Sequence, residues 1–201
     1  GPTIQESNMV ALSNGMSLKK LFDQLKDMRS QIQIPVILMG YLNPMIQFGM
    51  EEFCKKCQEV GVDGIIVPDL PIKLYMVEYK EMFDLYNLRN TFLISPQTSN
   101  QRIREIDEYS DGFIYMVSSH SITGAKSGVT DEQINYFKSI KSMNLNSPRL
   151  IGFGISDHDT FTKASSYSHG AIIGSAFIKV LQNSDNLIND IKFYIRGIRQ
   201  A

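Results

Sequence analysis

The chain has 201 residues, of which 43% are hydrophobic, and its 20 basic and 21 acidic residues leave a formal net charge of −1. A chain of this size can bury a sizeable core, and no break in composition divides it, so we predict one domain over residues 1–201. The charge is balanced, which argues against a nucleic-acid or membrane partner. No apolar stretch reaches the roughly 20 residues of a membrane span, and no signal-peptide pattern is present. We therefore expect a cytoplasmic protein.

Six short apolar runs that do not alternate with polar residues predict strands buried on both faces, as in a parallel sheet. The runs are Val36–Met39, Gly64–Val67, Thr91–Ile94, Phe113–Val117, Leu150–Phe153 and Ala171–Ile173. Amphipathic helical stripes lie between and beyond them, the first starting at Leu18 and the last ending at Ile198. The order predicted is therefore one helix followed by six β-α units.

Repeated β-α units form either a closed barrel or an open doubly wound sheet. No strand is followed by a glycine-rich dinucleotide fingerprint, whereas glycine turns follow the last two strands, where (β/α)8 barrels usually hold phosphate. We therefore predict an α/β fold of the (β/α)8 TIM-barrel type. Since a full barrel has eight strands in roughly 250 residues, six units predict an N-terminally incomplete barrel with unpaired strand edges.

Cys54 and Cys57 are the only cysteines, and their C-x-x-C spacing could belong to a redox centre or to half of a zinc site. Met50, Phe53, Cys54 and Cys57 also fall at i, i+3, i+4 and i+7, which is the buried stripe of an amphipathic helix. No second thiol pair exists to complete a metal site. We therefore predict two core thiols and no metal.

Small-residue segments follow the last three predicted strands. They are residues 118–128, residues 152–156 and residues 170–176. Glycine lets backbone N–H groups approach an anion closely, and a helix N-terminus adds a favourable dipole. The first of these segments is long enough for a lid over a ligand. Each could be an ordinary turn, but together they predict a phosphate-binding α/β barrel whose reaction stays open.

Longer motifs identify a family. They are Gly1-Pro2-Thr3-Ile4-Gln5, Pro35 to Pro44, Gly61 to Pro71, Ile122-Thr123-Gly124-Ala125, Gly152-Phe153-Gly154-Ile155 and Gly174-Ser175-Ala176. In this order, and over nearly the whole chain, they resemble the signatures of the tryptophan synthase alpha subunit. The combination is specific, because other phosphate-binding barrels share only the last two glycine turns.

The resemblance implies a substrate site at the strand ends. Phosphate would bind the backbone of Gly124, Gly154, Gly174 and Ser175, with the Ser175 hydroxyl as a further donor and Thr123 beside it. An apolar indole slot would be lined by Met39, Ile66, Pro68, Phe153 and Ile172, with Tyr115 against the substrate. A planar aromatic group suits such apolar walls when its charged end is held elsewhere.

The reaction implied is retro-aldol cleavage of indole-3-glycerol phosphate to indole and glyceraldehyde 3-phosphate, without a metal, a Schiff base or a cofactor in this subunit. It needs a general base, a general acid and a carboxylate near the ring N–H. In the family a Glu and an Asp do this work, at positions expected before Gly1. We therefore name no catalytic residue in this chain and interpret Asp69 as a structural, interface-linked carboxylate.

The resemblance also implies a partner, since the family works as an αββα (α2β2) complex with a pyridoxal-phosphate (PLP) β subunit. The loop with Tyr41, Asn43 and Pro44 would face that partner, although a simple turn would need the same proline. The three histidines have no triad or metal spacing and are predicted to be solvent-facing or locally bonded. His120 merits a test, because it lies in the predicted lid.

Two other functions stay open. One is another phosphate-binding barrel enzyme, which should show a lysine or an acid at a strand end, and none of the six predicted strands ends in lysine. The other is a noncatalytic alpha-like subunit that only activates its PLP-dependent β partner. The sequence preceding Gly1 distinguishes this second function from catalysis.

Overall fold

The structure is a computed structural model that describes residues 1–117, 130–152 and 154–199. The helices are α1 Pro2–Ser13, α2 Leu18–Leu25, α3 Leu42–Phe48, α4 Met50–Val60, α5 Ile72–Leu74, α6 Lys80–Leu85, α7 Asn100–Tyr109, α8 Asp131–Ser142, α9 His158–Ser165, α10 Ser175–Gln182 and α11 Leu187–Arg199, with a 3-10 turn Met28–Ser30 and a π-helical turn Tyr75–Tyr79. The strands are β1 Ile37–Met39, β2 Gly64–Ile66, β3 Arg89–Thr91, β4 Leu93–Ile94, β5 Ile114–Met116, β6 Arg149–Ile151 and β7 Gly170–Ala171.

All described strand pairs are parallel, as predicted, and neighbours in the chain are neighbours in the sheet. The prediction of one strand over Thr91–Ile94 is wrong, because the run divides at Phe92. Arg89–Thr91 pairs with β2, whereas Leu93–Ile94 pairs with β5. The run therefore changes partner along its length and connects the three-stranded sheet to the four-stranded sheet. Together the two sheets provide the strands of six successive β-α units.

The register separates two faces of the sheet. Because paired residues of parallel strands point to the same side and successive residues alternate, each row of partners belongs to one face. The rows Leu38–Ile65–Asn90 and Ile94–Met116–Ile151 are largely buried. The row Met39–Ile66–Thr91 has the exposed Met39 beside two buried residues, and the row Leu93–Tyr115–Leu150 is half-buried throughout. Since helices cover the outside of an α/β barrel, we call the first pair of rows the outer face and the second pair the inner face.

The prediction that every strand is buried on both faces is wrong for the outermost strands. Met39 in β1 is 58% exposed, and both residues of β7 are only half-buried. Within the described ranges, no strand pairs with the free edge of β1 or of β7. Those edges lack a neighbour that would cover their side chains, whereas Ile65 in β2 and Ile114 in β5 are completely buried.

Helix α4 carries the predicted cysteine stripe on its buried side. Met50, Phe53, Cys54 and Cys57 all lie in the core, and both thiols are free. The helix ends at Gly61, whose left-handed conformation closes its last turn, as is usual for a C-terminal glycine. The i, i+3, i+4, i+7 stripe therefore predicted correctly that both thiols are part of the packed core.

Arg29 holds the segment before β1 against the turn before β2. Its Nε donates to the carbonyl of Gly61 at 2.7 Å and its Nη1 to that of Ile34 at 2.8 Å, and its guanidinium also pairs with Asp63. Asp63 accepts a hydrogen bond from the backbone N–H of Val36 at 2.6 Å. These contacts fix the strand that carries Met39 next to β2.

Across the part of the chain that the structure describes, no helix is long and apolar enough to span a membrane.

Candidate functional site

Four residues of the predicted site lie on the inner face. Met39 and Ile66 are direct partners on β1 and β2, and Tyr115 is paired in the inner row of β5. Ile172 follows β7 by one residue and continues the alternation from Gly170, the inner-row partner of Leu150. These side chains therefore share one side of the sheet, although they come from segments more than 130 residues apart.

Tyr115 packs directly against the glycine that follows β6. A Cβ placed on Gly152 would lie 2.2 Å from Tyr115 Cε2 and 2.5 Å from its hydroxyl oxygen. The hydroxyl also reaches toward the Gly152 carbonyl, at a long 3.4 Å. Burial raises the pKa of Tyr115, so the phenol stays protonated. This close approach needs glycine at position 152, a role that the motif alone did not reveal.

The turn after β6 leads into helix α9 through Gly154. Its φ of +68° is in the left-handed region, and no atom of the described residues beyond its chain neighbours lies within 4 Å of the position that a Cβ would take. The helix is then capped by Asp157, which accepts from the backbone N–H of Thr160 at 2.9 Å. Hydrogen bonds from Thr160 and from the Ser156 hydroxyl lower the pKa of Asp157.

The turn after β7 ends at the N-terminus of α10. Gly174 is the N-cap, and no side chain of the described residues forms a capping hydrogen bond with the helix. Ile4 of α1 lies beside this turn, with its Cδ1 atom 3.5 Å from the Cβ position of Gly174. The free N–H groups of a first helical turn favour an anion.

The two glycine turns leave neighbouring strands at the same end of the sheet. Strands β6 and β7 are parallel partners, and the N–H of Ile172 donates to the Ile151 carbonyl at 2.8 Å. The turns therefore start side by side. The other predicted site residues, Thr123, Gly124 and Phe153, lie outside the described residues, as does the rest of the predicted lid with His120.

Pro68 lies in the turn after β2, two residues beyond the inner-row Ile66. It is exposed and lines a cavity of about 180 Å³ between that turn and α7. Phe92 and Ile106 contribute apolar walls, and Arg102 contributes a guanidinium that pairs with Glu105 at 2.6 Å. Sequence patterns gave no signal for Arg102, because it has the spacing of an ordinary exposed helix residue.

Tyr41, Asn43 and Pro44 were expected in a loop, and this expectation is wrong for two of them. Helix α3 begins at Leu42, so Asn43 and Pro44 form its first turn, where a proline leaves no intrahelical hydrogen bond unmade. Tyr41 precedes the helix and is 64% exposed. Asp69 accepts from the Leu42 N–H at 2.9 Å, which joins the turns after β1 and β2. The interpretation of Asp69 as structural agrees with this contact.

Both described histidines contact backbone groups, and both cysteines are buried. His158 Nδ1 lies 2.9 Å from the Ile198 carbonyl, and His169 Nδ1 accepts from the Arg149 N–H at 3.1 Å. Burial raises the pKa of both Cys54 and Cys57 to about 12, which keeps them as neutral thiols. Among residues 1–117, 130–152 and 154–199, no cluster of histidine, cysteine and carboxylate side chains could hold a metal.

The fold is that of an α/β protein of the (β/α)8-barrel class. It has six parallel β-α units, an inner face shared by distant side chains, and glycine turns at neighbouring strand ends. A family model described as tryptophan synthase alpha chain matches residues 1–196. The chain belongs to this family and has the alpha-subunit role in tryptophan biosynthesis.

Similar proteins include two bacterial tryptophan synthase alpha chains, each matched over nearly the whole of this chain. The chain is 57% identical to the tryptophan synthase alpha chain of Flavobacterium psychrophilum over 198 residues, which are 98% of this chain and 78% of the relative. It is 51% identical to that of Christiangramia forsetii over 199 residues, 99% of this chain and 77% of the relative. The chain thus spans nearly four fifths of these relatives.

Solved structures show the same fold. The tryptophan synthase A-subunit of Pyrococcus furiosus has a TM-score of 0.88 at 28% identity, covering 98% of this chain and 80% of that one. A chain from the tryptophan synthase complex of the same organism has a TM-score of 0.88 at 28% identity, covering 98% and 79%. The prediction of a partial (β/α)8 barrel is confirmed by these similarities.

Proposed function

We propose that the chain binds indole-3-glycerol phosphate and serves the alpha reaction, its retro-aldol cleavage to indole and glyceraldehyde 3-phosphate. The observation that carries the proposal is the common inner face of Met39, Ile66, Tyr115 and Ile172 beneath two adjacent glycine turns. That arrangement offers an apolar wall for a planar ring and backbone donors for a phosphate within one site.

The phosphate would be held by backbone N–H groups of Gly124, Gly154, Gly174 and Ser175. The Ser175 hydroxyl adds a donor at the uncapped N-terminus of α10, whose dipole favours the anion. Thr123 would stand beside the phosphate. The indole ring would lie in the indole slot of Met39, Ile66, Pro68, Phe153 and Ile172, against the ring of Tyr115.

We assign no proton transfer to a carboxylate in the described part of the chain. Asp69 is the acid nearest to the proposed slot in sequence, and its carboxylate is engaged by the Leu42 N–H. Tyr115 suits packing better than proton transfer, because burial raises its pKa. The contribution proposed for these residues is binding and orientation, which hold the reacting bond in place.

The proposed partner is a PLP-containing tryptophan synthase β subunit in an α2β2 assembly, with no cofactor bound by the alpha subunit itself. Tyr41 and the first turn of α3 would form part of the contact. An exposed aromatic group beside a proline-fixed helix start is a rigid recognition element. We also propose a cytoplasmic location, where the β subunit and its substrates would be found.

Calorimetric titration with indole-3-glycerol phosphate tests the phosphate site. Replacing Ser175→Ala removes a hydrogen bond to a charged group, so the affinity should fall by roughly tenfold or more. Ser166→Ala is the matched control, since its hydroxyl bonds the Lys163 carbonyl at the far end of α9. Equal affinities for the three proteins would contradict the proposed phosphate site.

A noncatalytic alpha-like subunit is the alternative, because Asp69, the acid beside the proposed slot in sequence, is engaged by the Leu42 N–H. An indole-release assay with and without β subunit separates the two functions. Release of indole supports catalysis. Stimulation of the β reaction without any release of indole supports the activating role.

A further inference from the structure

A buried amide lies on the outer face of the sheet. Asn90 in β3 is 1% exposed and shares its row with Leu38 and Ile65, under the helices. Its carbonyl oxygen Oδ1 has no hydrogen-bond partner among the described residues. A buried polar atom without a partner loses its hydration and gains nothing in return, so such atoms normally bind something.

A buried phenol lies in the same layer. Tyr75 is the first residue of the π-helical turn and is fully buried, and its hydroxyl likewise has no partner in the described chain. Its ring meets that of Phe92 edge-on, with centroids 5.3 Å apart. Phe92 follows Asn90 by two residues, and the alternation places both on the outer face. The phenol and the amide therefore belong to the same layer between sheet and helices.

A third unpartnered group comes from the end of α7. Ser110 is the C-cap of that helix, and its Oγ is buried without a partner in the described ranges. The next residue, Asp111, accepts a hydrogen bond at its carbonyl from Arg89 Nη1 at 3.0 Å. Arg89 directly precedes Asn90, so this contact brings Ser110 to the same end of β3. The pKa of Tyr75 is raised by burial and then by Asp111, which also indicates that the phenol lies near this turn.

We propose that Tyr75, Asn90 and Ser110 bind one internal water molecule between β3, the π-helical turn and the end of α7. Asn90 Oδ1 can only accept, so the water donates to it, while the two hydroxyl groups can donate or accept. A buried water typically makes about three hydrogen bonds to protein groups that would otherwise be unpartnered. Three elements of the wall would then be joined through a single solvent molecule.

A crystal structure of the 201-residue chain at about 1.5 Å resolution or better is the direct test. The proposal expects an isolated solvent peak at roughly 2.7–3.2 Å from Tyr75 Oη and from Asn90 Oδ1. A direct hydrogen bond between the phenol and the amide, or no solvent peak at this place, would overturn it. Either result is visible in the same electron density.

A double-mutant cycle tests the linkage without relying on crystals. Tyr75→Phe and Ser110→Ala should each lower the unfolding midpoint, by about 2–4 °C for a chain of this length. If both groups bind the same water, the double variant should be non-additive by at least twofold in the unfolding equilibrium constant. Additive effects would refute a shared water.

Tyr136 provides the matched control. Its hydroxyl is also buried and has no partner among the described residues, but it belongs to α8. The proposed water does not contact Tyr136, so Tyr136→Phe combined with Ser110→Ala should be additive. Coupling of the same size in this control pair would also overturn the proposal, since it would reflect a general loosening of the core.

Discussion

Replacing Gly152 with alanine should destabilise the protein through a steric clash between the new methyl group and the ring of Tyr115. The new methyl group would lie 2.2 Å from Tyr115 Cε2 and 2.6 Å from its Cζ, whereas carbon atoms in contact are about 3.5–4.0 Å apart. The ring would have to move by more than about 1 Å. Since Ile114 and Met116 on either side are buried, we expect an overpacking cost of about 1–3 kcal/mol.

Thermal unfolding followed by circular dichroism measures this effect. For a chain of about 200 residues, 1 kcal/mol corresponds to about 2–4 °C, so the midpoint should fall by roughly 2–10 °C. Tyr115→Leu removes the colliding atoms, and the double variant should recover much of the loss. Because the displaced ring lies on the inner face, affinity for indole-3-glycerol phosphate should fall in Gly152→Ala as well.

Gly197→Ala is the matched control for the same chemical change. Gly197 lies in α11, and beyond the backbone of that helix no atom of the described residues lies within 4 Å of its Cβ position. Alanine is favoured over glycine in a helix by up to about 1 kcal/mol, so this variant should be slightly more stable. A Gly152→Ala variant that unfolds at the wild-type temperature would refute the steric clash. So would a double variant in which Tyr115→Leu lowers the midpoint further and recovers none of the loss.

Three further predictions concern stability and reactivity. Arg29→Ala removes the donors to the Gly61 carbonyl and should lower the free energy of unfolding by about 1–3 kcal/mol in urea titrations; an unchanged midpoint would contradict a role in holding β1. Burial raises the pKa of Cys54 and Cys57 to about 12, so iodoacetamide at pH 8 should label them in urea but hardly in the native state, as followed by mass spectrometry. The pKa of Asp157 is lowered in the folded state from its ordinary 3.8, so its stabilisation is present above that pH and is lost as the pH falls below it. Unfolding midpoints measured from pH 6 to pH 2 should therefore decline less in Asp157→Asn than in the wild type, and parallel curves would count against this assignment.

Much of the fold could be predicted from local patterns. Apolar runs without alternation located the strand positions, and the i, i+3, i+4, i+7 stripe correctly buried Cys54 and Cys57 in α4. The patterns missed the division of one run at Phe92, because the change of partner from β2 to β5 is a property of the sheet. They also missed the helical start at Leu42, since a proline after a strand is equally typical of a turn.

The site was predictable in its residue types and less so in its contacts. Glycine turns after the last two strands indicated an anion site, and the structure sets them on neighbouring strands. The closeness of Tyr115 and Gly152 could not be inferred, because the residues are 37 positions apart and the contact depends on ring direction. Nor could the hydrogen bond of Asp69 to Leu42, which depends on how two turns meet.

The sequence by itself determined the family, the parallel β-α order and the positions of the glycine turns, because these are encoded in motifs and periodicities within short stretches of chain. Only the tertiary structure decided which side chains share the inner face, which glycine must remain small and which buried polar groups meet beneath the helices. Those features depend on strand register and on packing between distant segments, and neither is written in any local run of residues.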